Sequence, residues 1–199
     1  MTSWNAWIGA GDAALDPSDD LSVALKLIRG VDTDDPTVES HREAIVAMAD
    51  RSAALATRTT RPGHLTGSAL VMDADGERVL VLLHRKLGIW VQPGGHADGD
   101  MNLIGVAWRE ASEETGIAGL RIDPVPIDLD VHQVAPPAED AHLHLDVRFL
   151  VVAPLGAEPQ GNHESDAIRW VTPGELTDLG ADAGLLRLAA AGRDRWAGR

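Results

Sequence analysis

The sequence predicts an α+β fold in which a mixed β-sheet lies between helices and a helical extension precedes it. Three observations lead to this prediction. Up to about residue 60 the apolar residues recur with a helical period, whereas from Leu65 they alternate as in strands. One helix, Met101 to Thr115, interrupts the strands, and a last helix, roughly Ala183 to Trp196, closes the chain. We therefore divide the chain into an extension, residues 1–60, and a domain, residues 61–199.

The extension contains two predicted helices. The first, "LSVALKLIRG", is short and amphipathic and ends at Gly30. The second begins at Pro36, which Asp35 precedes as the N-cap residue, and its apolar stripe extends to about Leu55. The segment "TTRPGH" then ends this helix. We expect the two helices to serve as a lid or as the arm of a homodimer.

The domain begins with two strands, "LTGSALVM" and "RVLVLLHR", which Asp75 and Gly76 join as a hairpin turn. The segment "WVQPGGHADGD" is rich in turn residues and is predicted as a loop before the central helix, which Gly116 ends. Three further strands follow, "IDLDVHQV", "HLHLDVRFLVV" and "AIRWV". Strands on both sides of one helix are typical of a domain built from a sheet and helices in layers.

The composition excludes several classes of function. The formal net charge is −14 and the lysines are Lys26 and Lys86, so we do not expect binding to bulk nucleic acid, which depends on clustered basic residues. The chain has no cysteine for a disulfide, a thiolate nucleophile or a Cys-based zinc site. It has no apolar run of membrane-spanning length and no signal-peptide pattern, so we expect a cytoplasmic protein without membrane contact. To bind a phosphorylated small molecule, so acidic a protein needs a bridging divalent cation.

One flank of the central helix carries a cluster of carboxylates. Glu110, Glu113 and Glu114 of "REASEETG" stand at i, i+3 and i+4, where like charges repel each other. A solvated acidic face would explain such a pattern by itself. These glutamates, however, follow Gly94 and Gly95, which suit a close approach of the backbone to a ligand. Carboxylates on a rigid helix are the ligands that Mg²⁺ or Mn²⁺ requires, so the pattern predicts a metal site.

The segment Gly95 to Ile117 resembles the signature box of the Nudix (MutT-like) hydrolases, G-x5-E-x7-R-E-U-x-E-E-x-G-U with U apolar. The matching residues, all in register, are Gly95, Arg109, Glu110, Ala111, Glu113, Glu114, Gly116 and Ile117. The resemblance implies an α/β/α sandwich from about Leu65 onwards and does not cover the extension. It also implies a hydrolase that cleaves a diphosphate linkage in a nucleoside diphosphate linked to another group, with water attacking phosphorus. Glu110, Glu113 and Glu114 would then hold Mg²⁺ or Mn²⁺, and Arg109 would orient them.

One position of the box differs from the family pattern. Met101 stands where the family has a glutamate that often pairs with the box arginine or reaches the metal. Asp100 and Asp98 are close enough along the chain to take over this role. We expect Met101→Glu to be tolerated, and the number of metal ions stays open.

Two other functions compete with hydrolysis. A non-catalytic Nudix-like module that binds or senses a nucleotide would explain Met101, but it has no need for three glutamates that repel each other. An isomerase acting on an allylic diphosphate would want a cysteine in its site, and the chain has none. Hydrolysis is therefore the favoured interpretation.

A second group of candidate residues lies on the strand "HLHLDVRF". His142, His144 and Asp146 share one face of this strand with Arg148, whereas its apolar residues form the other face. The polar face is either solvated or lines the substrate cleft, and we favour the cleft, with His96 of the glycine loop converging on it. The alternative is a metal softer than Mg²⁺, bound by the two histidines and Asp146.

The remaining candidates flank the box on either side. Glu164 in "NHESD" is the expected general base or further metal ligand, because many Nudix enzymes carry a glutamate on a loop in this region. His163 is the alternative base. Trp90 either stacks on a nucleotide base or packs on the core, and Gln92 is a further candidate for substrate contact.

Overall fold

The structure is a computed structural model that describes residues 7–135, 140–163 and 165–198. Within these ranges the chain forms five α-helices and eight β-strands. The helices are α1 Leu21–Arg29, α2 Pro36–Ala49, α3 Leu103–Thr115, α4 Pro173–Asp178 and α5 Ala183–Ala197. The strands are β1 Gly63–Met72, β2 Val79–His84, β3 Trp90–Val91, β4 Gly94–His96, β5 Arg121–Ile122, β6 Asp128–Val134, β7 His142–Val152 and β8 Ser165–Val171.

One mixed sheet organises these strands. Strand β1 runs parallel to β7 over ten residue pairs, from Gly63 opposite Leu143 to Met72 opposite Val152. The other pairings are antiparallel: β1 with β2 and β4, β2 with β3 and β8, and β7 with β5 and β6. The predicted mixed sheet is therefore confirmed, and its central pair joins segments about 80 residues apart in sequence.

Different helices cover the two faces of the sheet. Along β1, Leu65 and Val71 point to one face, where they share a hydrophobic cluster with Val106 of α3. Leu70 and Met72 point to the other face, where they pack with residues of α4 and α5. We call these the α3 face and the α5 face. Helices on both faces confirm the predicted α/β/α arrangement.

The N-terminal helices belong to the core of the α3 face. Ala24 and Ile28 of α1 and Val38 and Ile45 of α2 are buried in the same cluster as Val106. Because their apolar sides pack within the chain itself, the structure gives no support to a homodimer arm. Helix α2 ends at Ala49, short of the predicted end, although Leu55 of the following turns is still buried.

The extension also holds the start of α3. A short 3-10 helix, Ala13–Leu15, lies so close to α3 that a Cβ on Gly105 would meet the carbonyl oxygen of Leu15 at 2.6 Å. The side-chain amide nitrogen of Asn102 donates to the carbonyl oxygens of Ala14 and Asp16, both at 2.8 Å. These contacts attach the beginning of the box helix to the first 20 residues.

The segment predicted as a loop before the central helix contains two short strands. Strands β3 and β4 lie within "WVQPGGHADGD", and β4 pairs with β1 through Gly94, Gly95 and His96. The glycines that suggested a loop are needed here because β4 runs against closely packed neighbours. Of the helices in the described part of the chain, none combines the length and apolar character needed to cross a membrane.

Candidate active site

The apolar stripe of α3 sets the direction of its glutamates. Ile104, Ala107 and Ala111 are buried against the sheet, which fixes the rotation of the helix about its axis. The helix ends at Gly116, whose φ of 65° is readily adopted only by glycine and whose N–H donates to the carbonyl oxygen of Ser112 at 3.0 Å. The carboxylate flank therefore faces strand β4.

Two glycines of β4 bring the backbone against this flank. The N–H of Gly94 donates to Oε2 of Glu114 at 2.9 Å. A Cβ on Gly95 would lie 2.5 Å from both Cδ and Oε2 of Glu110, so any larger residue here would displace that carboxylate from its present position. The structure thus brings together the predicted residues Gly94, Gly95, Glu110 and Glu114.

The chemistry of this donor set fits a hard divalent cation. Glu114 is buried, Glu110 is partly exposed and Glu113 is exposed, so the flank leads from the protein interior to solvent. The three side chains offer only oxygen atoms, which Mg²⁺ and Mn²⁺ prefer, and no softer nitrogen or sulfur ligand. The side chains present therefore match the cation predicted from the sequence.

Arg109 pairs with Asp100 in place of the missing box glutamate. Its Nη1 lies 3.8 Å from Oδ2 of Asp100, and its Nη2 lies 3.5 Å from Oε1 of Glu110. Asp98, the other candidate for this role, instead forms an ion pair with Arg58, through Nε at 2.7 Å. Of the two aspartates that the sequence offered, Asp100 is the one in position.

Met101 itself is part of the hydrophobic core. Its side chain is only 4% exposed and belongs to the cluster on the α3 face. Its N–H donates to the carbonyl oxygen of Ser18 at 2.6 Å, which holds the residue in place. The burial of this side chain argues against the expectation that a glutamate would be tolerated here.

We expect Met101→Glu to lower the free energy of unfolding by at least about 2 kcal/mol, because it buries a carboxylate without a partner. Met101→Leu conserves volume and apolar character, and should cost less than about 1.5 kcal/mol. Urea unfolding of both variants measures the difference. Equal stability of the two would mean that the residue 101 side chain reaches solvent or Arg109 in solution.

The polar face of β7 is mostly buried on the α5 face of the sheet. His142, Asp146 and Arg148 are 4%, 1% and 3% exposed, and His144 is half-buried. The expectation that this whole face is open to a cleft is therefore wrong, and among these four residues only His144 has substantial exposure. Going from His142 towards Val152, the side chains change from imidazole to ionic to apolar.

Arg148 is the centre of a buried ionic network. It donates to Oδ2 of Asp146 at 2.7 Å, to Oδ2 of Asp130 at 2.9 Å and to Oδ2 of Asp128 at 3.1 Å. Arg187 of α5 contacts Asp128 and Asp130 from the other side, at 2.9 and 2.8 Å. Burial would lower the pKa of Arg148, but the three surrounding carboxylates raise it above its ordinary value.

Asp146 has no free oxygen for a substrate or a metal. Its Oδ1 accepts hydrogen bonds from the hydroxyls of Thr66 and Ser68, both at 2.9 Å, and its Oδ2 accepts the bond from Arg148. The expectation of a ligand contact at Asp146 is therefore withdrawn, because the side chain is buried and both of its oxygens already accept hydrogen bonds.

Five histidines meet at the open end of the α5 face. We call this group the imidazole cluster; its members are His64 of β1, His96 of β4, His132 of β6, and His142 and His144 of β7. Strand register brings them together, since His64 and His132 both lie opposite His144 and His96 lies opposite Thr66. Contacting rings have centroids 4.9 to 5.5 Å apart.

The surroundings of His64 and His144 favour neutral imidazoles. Burial, together with the neighbouring His96 and His142, lowers the pKa of His64 to about 4. Burial likewise lowers the pKa of His144 to about 3, with contributions from His132, His96 and His64. These rings therefore present nitrogen lone pairs and not positive charge at neutral pH.

The candidate residues on either side of the box lie in different surroundings. Trp90 packs on the core of the α5 face, and the guanidinium carbon of Arg169 lies 5.0 Å from its ring centroid, in agreement with a packing role. Gln92 is half-buried in the turn between β3 and β4. Glu164 lies outside the described residues, and its neighbour His163 is exposed.

Sequence reasoning missed several residues of the polar face. His64, Asp128, Asp130 and Arg187 come from three separate elements, and the pairing of these elements cannot be derived from local pattern. The alternation in "HLTGS" could have pointed to His64, because His64 lies on the polar face of this segment and Leu65 and Gly67 lie on the other.

The chain matches the family model of the NUDIX domain over residues 63–190. No curated protein sequence matches it. Among solved structures, an Ap4A hydrolase from C. elegans in a binary complex is 18% identical with a TM-score of 0.57, over 68% of this chain and 98% of that one.

Two further structures are similar in fold. A NUDIX family hydrolase from Clostridium perfringens is 20% identical with a TM-score of 0.50, over 67% of this chain and 97% of that one. The E. coli dihydroneopterin triphosphate pyrophosphohydrolase is 17% identical with a TM-score of 0.50, over 68% of this chain and 97% of that one. At these identities the likeness concerns the fold alone.

Proposed function

The chain belongs to the NUDIX domain family and is a hydrolase of phosphorus-containing acid anhydrides; from this premise we propose that it cleaves a diphosphate linkage in a nucleoside diphosphate linked to another group. We propose that Glu110, Glu113 and Glu114 hold the divalent cation, Mg²⁺ or Mn²⁺, that the reaction requires. The observation that carries the proposal is the carboxylate flank of α3 packed against Gly94 and Gly95. A purely structural acidic face would have no use for this close approach of the backbone.

The chain's part in the reaction is to position charge. When bound, the cation neutralises the diphosphate oxygens and the charge that develops as water attacks phosphorus. The N–H of Gly94 fixes the carboxylate of Glu114, and Arg109 draws Glu110 and Asp100 together. Contacts that hold these carboxylates in place lower the reorganisation needed when the substrate and cation bind.

We propose substrate contacts only for those candidate side chains that are exposed or half-buried. His96, His144 and Gln92 are half-buried and stay the proposed substrate contacts. His142 is too buried to touch a substrate directly. Glu164 remains the proposed general base and His163 the alternative, because either needs only reach to the attacking water and a suitable pKa.

A hydrolysis panel tests the proposal. The purified chain is incubated with Mg²⁺ or Mn²⁺ and, separately, nucleoside triphosphates, nucleotide sugars, dinucleoside polyphosphates, coenzyme A and capped RNA. Products are separated by chromatography, and a parallel set contains a chelator. We expect cleavage of at least one nucleotide class and its loss in chelator. Tight binding of a nucleotide with no cleavage of any would instead favour the sensor function, and cleavage that resists the chelator would contradict the metal site.

A further inference from the structure

We propose that His64, His142 and His144 form a second metal site, which takes a divalent transition-metal ion of the Zn²⁺ class. This site uses nitrogen ligands and is separate from the oxygen ligands on α3. The proposal does not rest on the proposed hydrolysis, because the three imidazoles would bind an ion whether or not a nucleotide is cleaved.

The spacing of the three rings matches that of imidazoles around one tetrahedral ion. With Zn–N distances of about 2.0–2.1 Å, three such rings place their centroids about 5 Å apart. The centroid distances here are 4.9 Å for His64 and His142, 5.1 Å for His64 and His144, and 5.5 Å for His142 and His144. One ligand nitrogen from each ring lies within 4.8 Å of the other two. A shared ion requires these nitrogens to approach to about 3.3 Å, and rotation of the side chains has to supply the difference.

His64 supplies the second, independent observation. Its side chain is 1% exposed, and neither ring nitrogen makes a hydrogen bond of regular geometry among the described residues, although the backbone of Thr60 lies near the ring. A buried imidazole without a well-formed hydrogen bond is costly, and packing alone gives no reason to place one in contact with His96, His142 and His144. A metal ion bound to one nitrogen satisfies that nitrogen.

His142 already has the hydrogen bond that a metal-bound histidine usually makes. Its Nδ1 lies 2.8 Å from the carbonyl oxygen of Asp140, and since a carbonyl oxygen only accepts, this nitrogen carries the proton. In the neutral ring Nε2 is then unprotonated and available as a ligand. A backbone carbonyl in this role fixes the tautomer and the orientation of the ring, as in known metal sites. The lowered pKa values of His64 and His144 are in keeping with neutral, ligating imidazoles.

The site has three protein ligands and one open position. Asp146 cannot supply a fourth, because its oxygens are occupied by Thr66, Ser68 and Arg148. His96 and His132 are two further imidazoles whose rings contact that of His144. Three ligands with an open fourth position is the arrangement in which Zn²⁺ binds water or a substrate oxygen.

Strand β4 separates the two proposed sites. The Cα of Gly95 faces Glu110 on the α3 face, whereas the side chain of the next residue, His96, joins the imidazole cluster on the α5 face. Successive residues of a strand point to opposite faces, so the oxygen and nitrogen ligands cannot merge into one set without disrupting β4. Each site therefore selects its own ion by ligand type.

Calorimetric titration with Zn²⁺ in the presence of millimolar Mg²⁺ tests the proposal on the full chain. We expect one Zn²⁺ per chain in the wild type, and Co²⁺ in its place should give the intense visible absorption of tetrahedral coordination. His64→Leu and His142→Gln should each weaken Zn²⁺ binding by more than the about 10–100-fold that loss of an outer partner costs. Circular dichroism establishes that each variant is folded. Zn²⁺ should raise the Tm of the wild type and leave that of His64→Leu unchanged.

Two matched variants serve as controls. His84→Ala removes an imidazole outside the cluster and should retain the Zn²⁺ affinity of the wild type. Glu113→Gln should also retain it while losing Mg²⁺-dependent hydrolysis, which separates failure of this proposal from failure of the proposed function. The proposal is overturned if the wild type binds no Zn²⁺, if folded His64→Leu binds Zn²⁺ as the wild type does, or if bound Co²⁺ gives a weak octahedral spectrum. If both ligand variants unfold, the spectrum of Co²⁺ bound to the wild type still tests the proposed site.

Discussion

Replacing Glu113 by glutamine is expected to reduce the rate of hydrolysis at least about a hundredfold while the fold remains intact. The amide keeps the size of the side chain but removes one of the three negative charges that we propose as metal ligands on the α3 flank. A weaker metal site then compensates less of the charge that develops on the phosphoryl oxygens. Because the Glu113 side chain is exposed, the change should not disturb the core.

The matched control is Glu43→Gln, which removes an exposed glutamate from α2 and should leave the rate unchanged. Glu114→Gln provides a second test, since its amide oxygen can still accept the bond from Gly94 and only the charge is lost. Steady-state kinetics over a range of Mg²⁺ concentrations measures both effects. If Glu113→Gln and Glu114→Gln turned over like Glu43→Gln, the carboxylate flank would not be the metal site.

Arg148→Met is expected to lower the free energy of unfolding by about 3–5 kcal/mol. Methionine fills much of the same volume but leaves Asp128, Asp130 and Asp146 buried with a large part of their positive partner removed. Arg187 compensates only two of the three carboxylates. Uncompensated buried charge is among the few causes of so large an effect from a single substitution.

Arg85→Met is the control for this prediction. Arg85 also pairs with an aspartate, Asp166, at 2.7 Å, but both side chains are about half exposed, so the loss should be at most about 1 kcal/mol. Chemical denaturation of the two variants gives the comparison. A loss for Arg148→Met as small as that for Arg85→Met would mean that water reaches the network in solution.

The box helix was predictable because its information is local. The register of Arg109 to Gly116, the apolar stripe and the terminating glycine all lie within one segment, and the structure has each where the sequence places it. The buried polar face was not predictable, because the partners of Arg148 on β6 and α5 are distant in sequence and meet it only in the folded sheet. Met101 was misjudged for a related reason, since its burial depends on the distant N-terminal extension.

Local pattern also cannot reveal what fills the space beside a strand. "HLHLDVRF" alternates as an exposed amphipathic strand does, and the same alternation fits a strand with an apolar core on one side and a buried ionic layer on the other. Only the partners distinguish the two cases. The carboxylates of Asp128 and Asp130 and the hydroxyls of Thr66 and Ser68 supply them here.

The buried ionic layer also determines which strand alignments the chain can adopt while it folds. The other face of β7 carries Leu145, Val147, Phe149 and Val151, and a shift of two residues would exchange one apolar side chain for another of similar character. The same shift would move the guanidinium of Arg148 by about 7 Å relative to the neighbouring strand, so that it could no longer bind Asp128 and Asp130 together. Misaligned sheets would therefore carry an electrostatic penalty that the aliphatic residues do not impose. We expect the network to disfavour such misaligned states. Its removal should broaden the set of compact states, even where an apolar replacement restores stability.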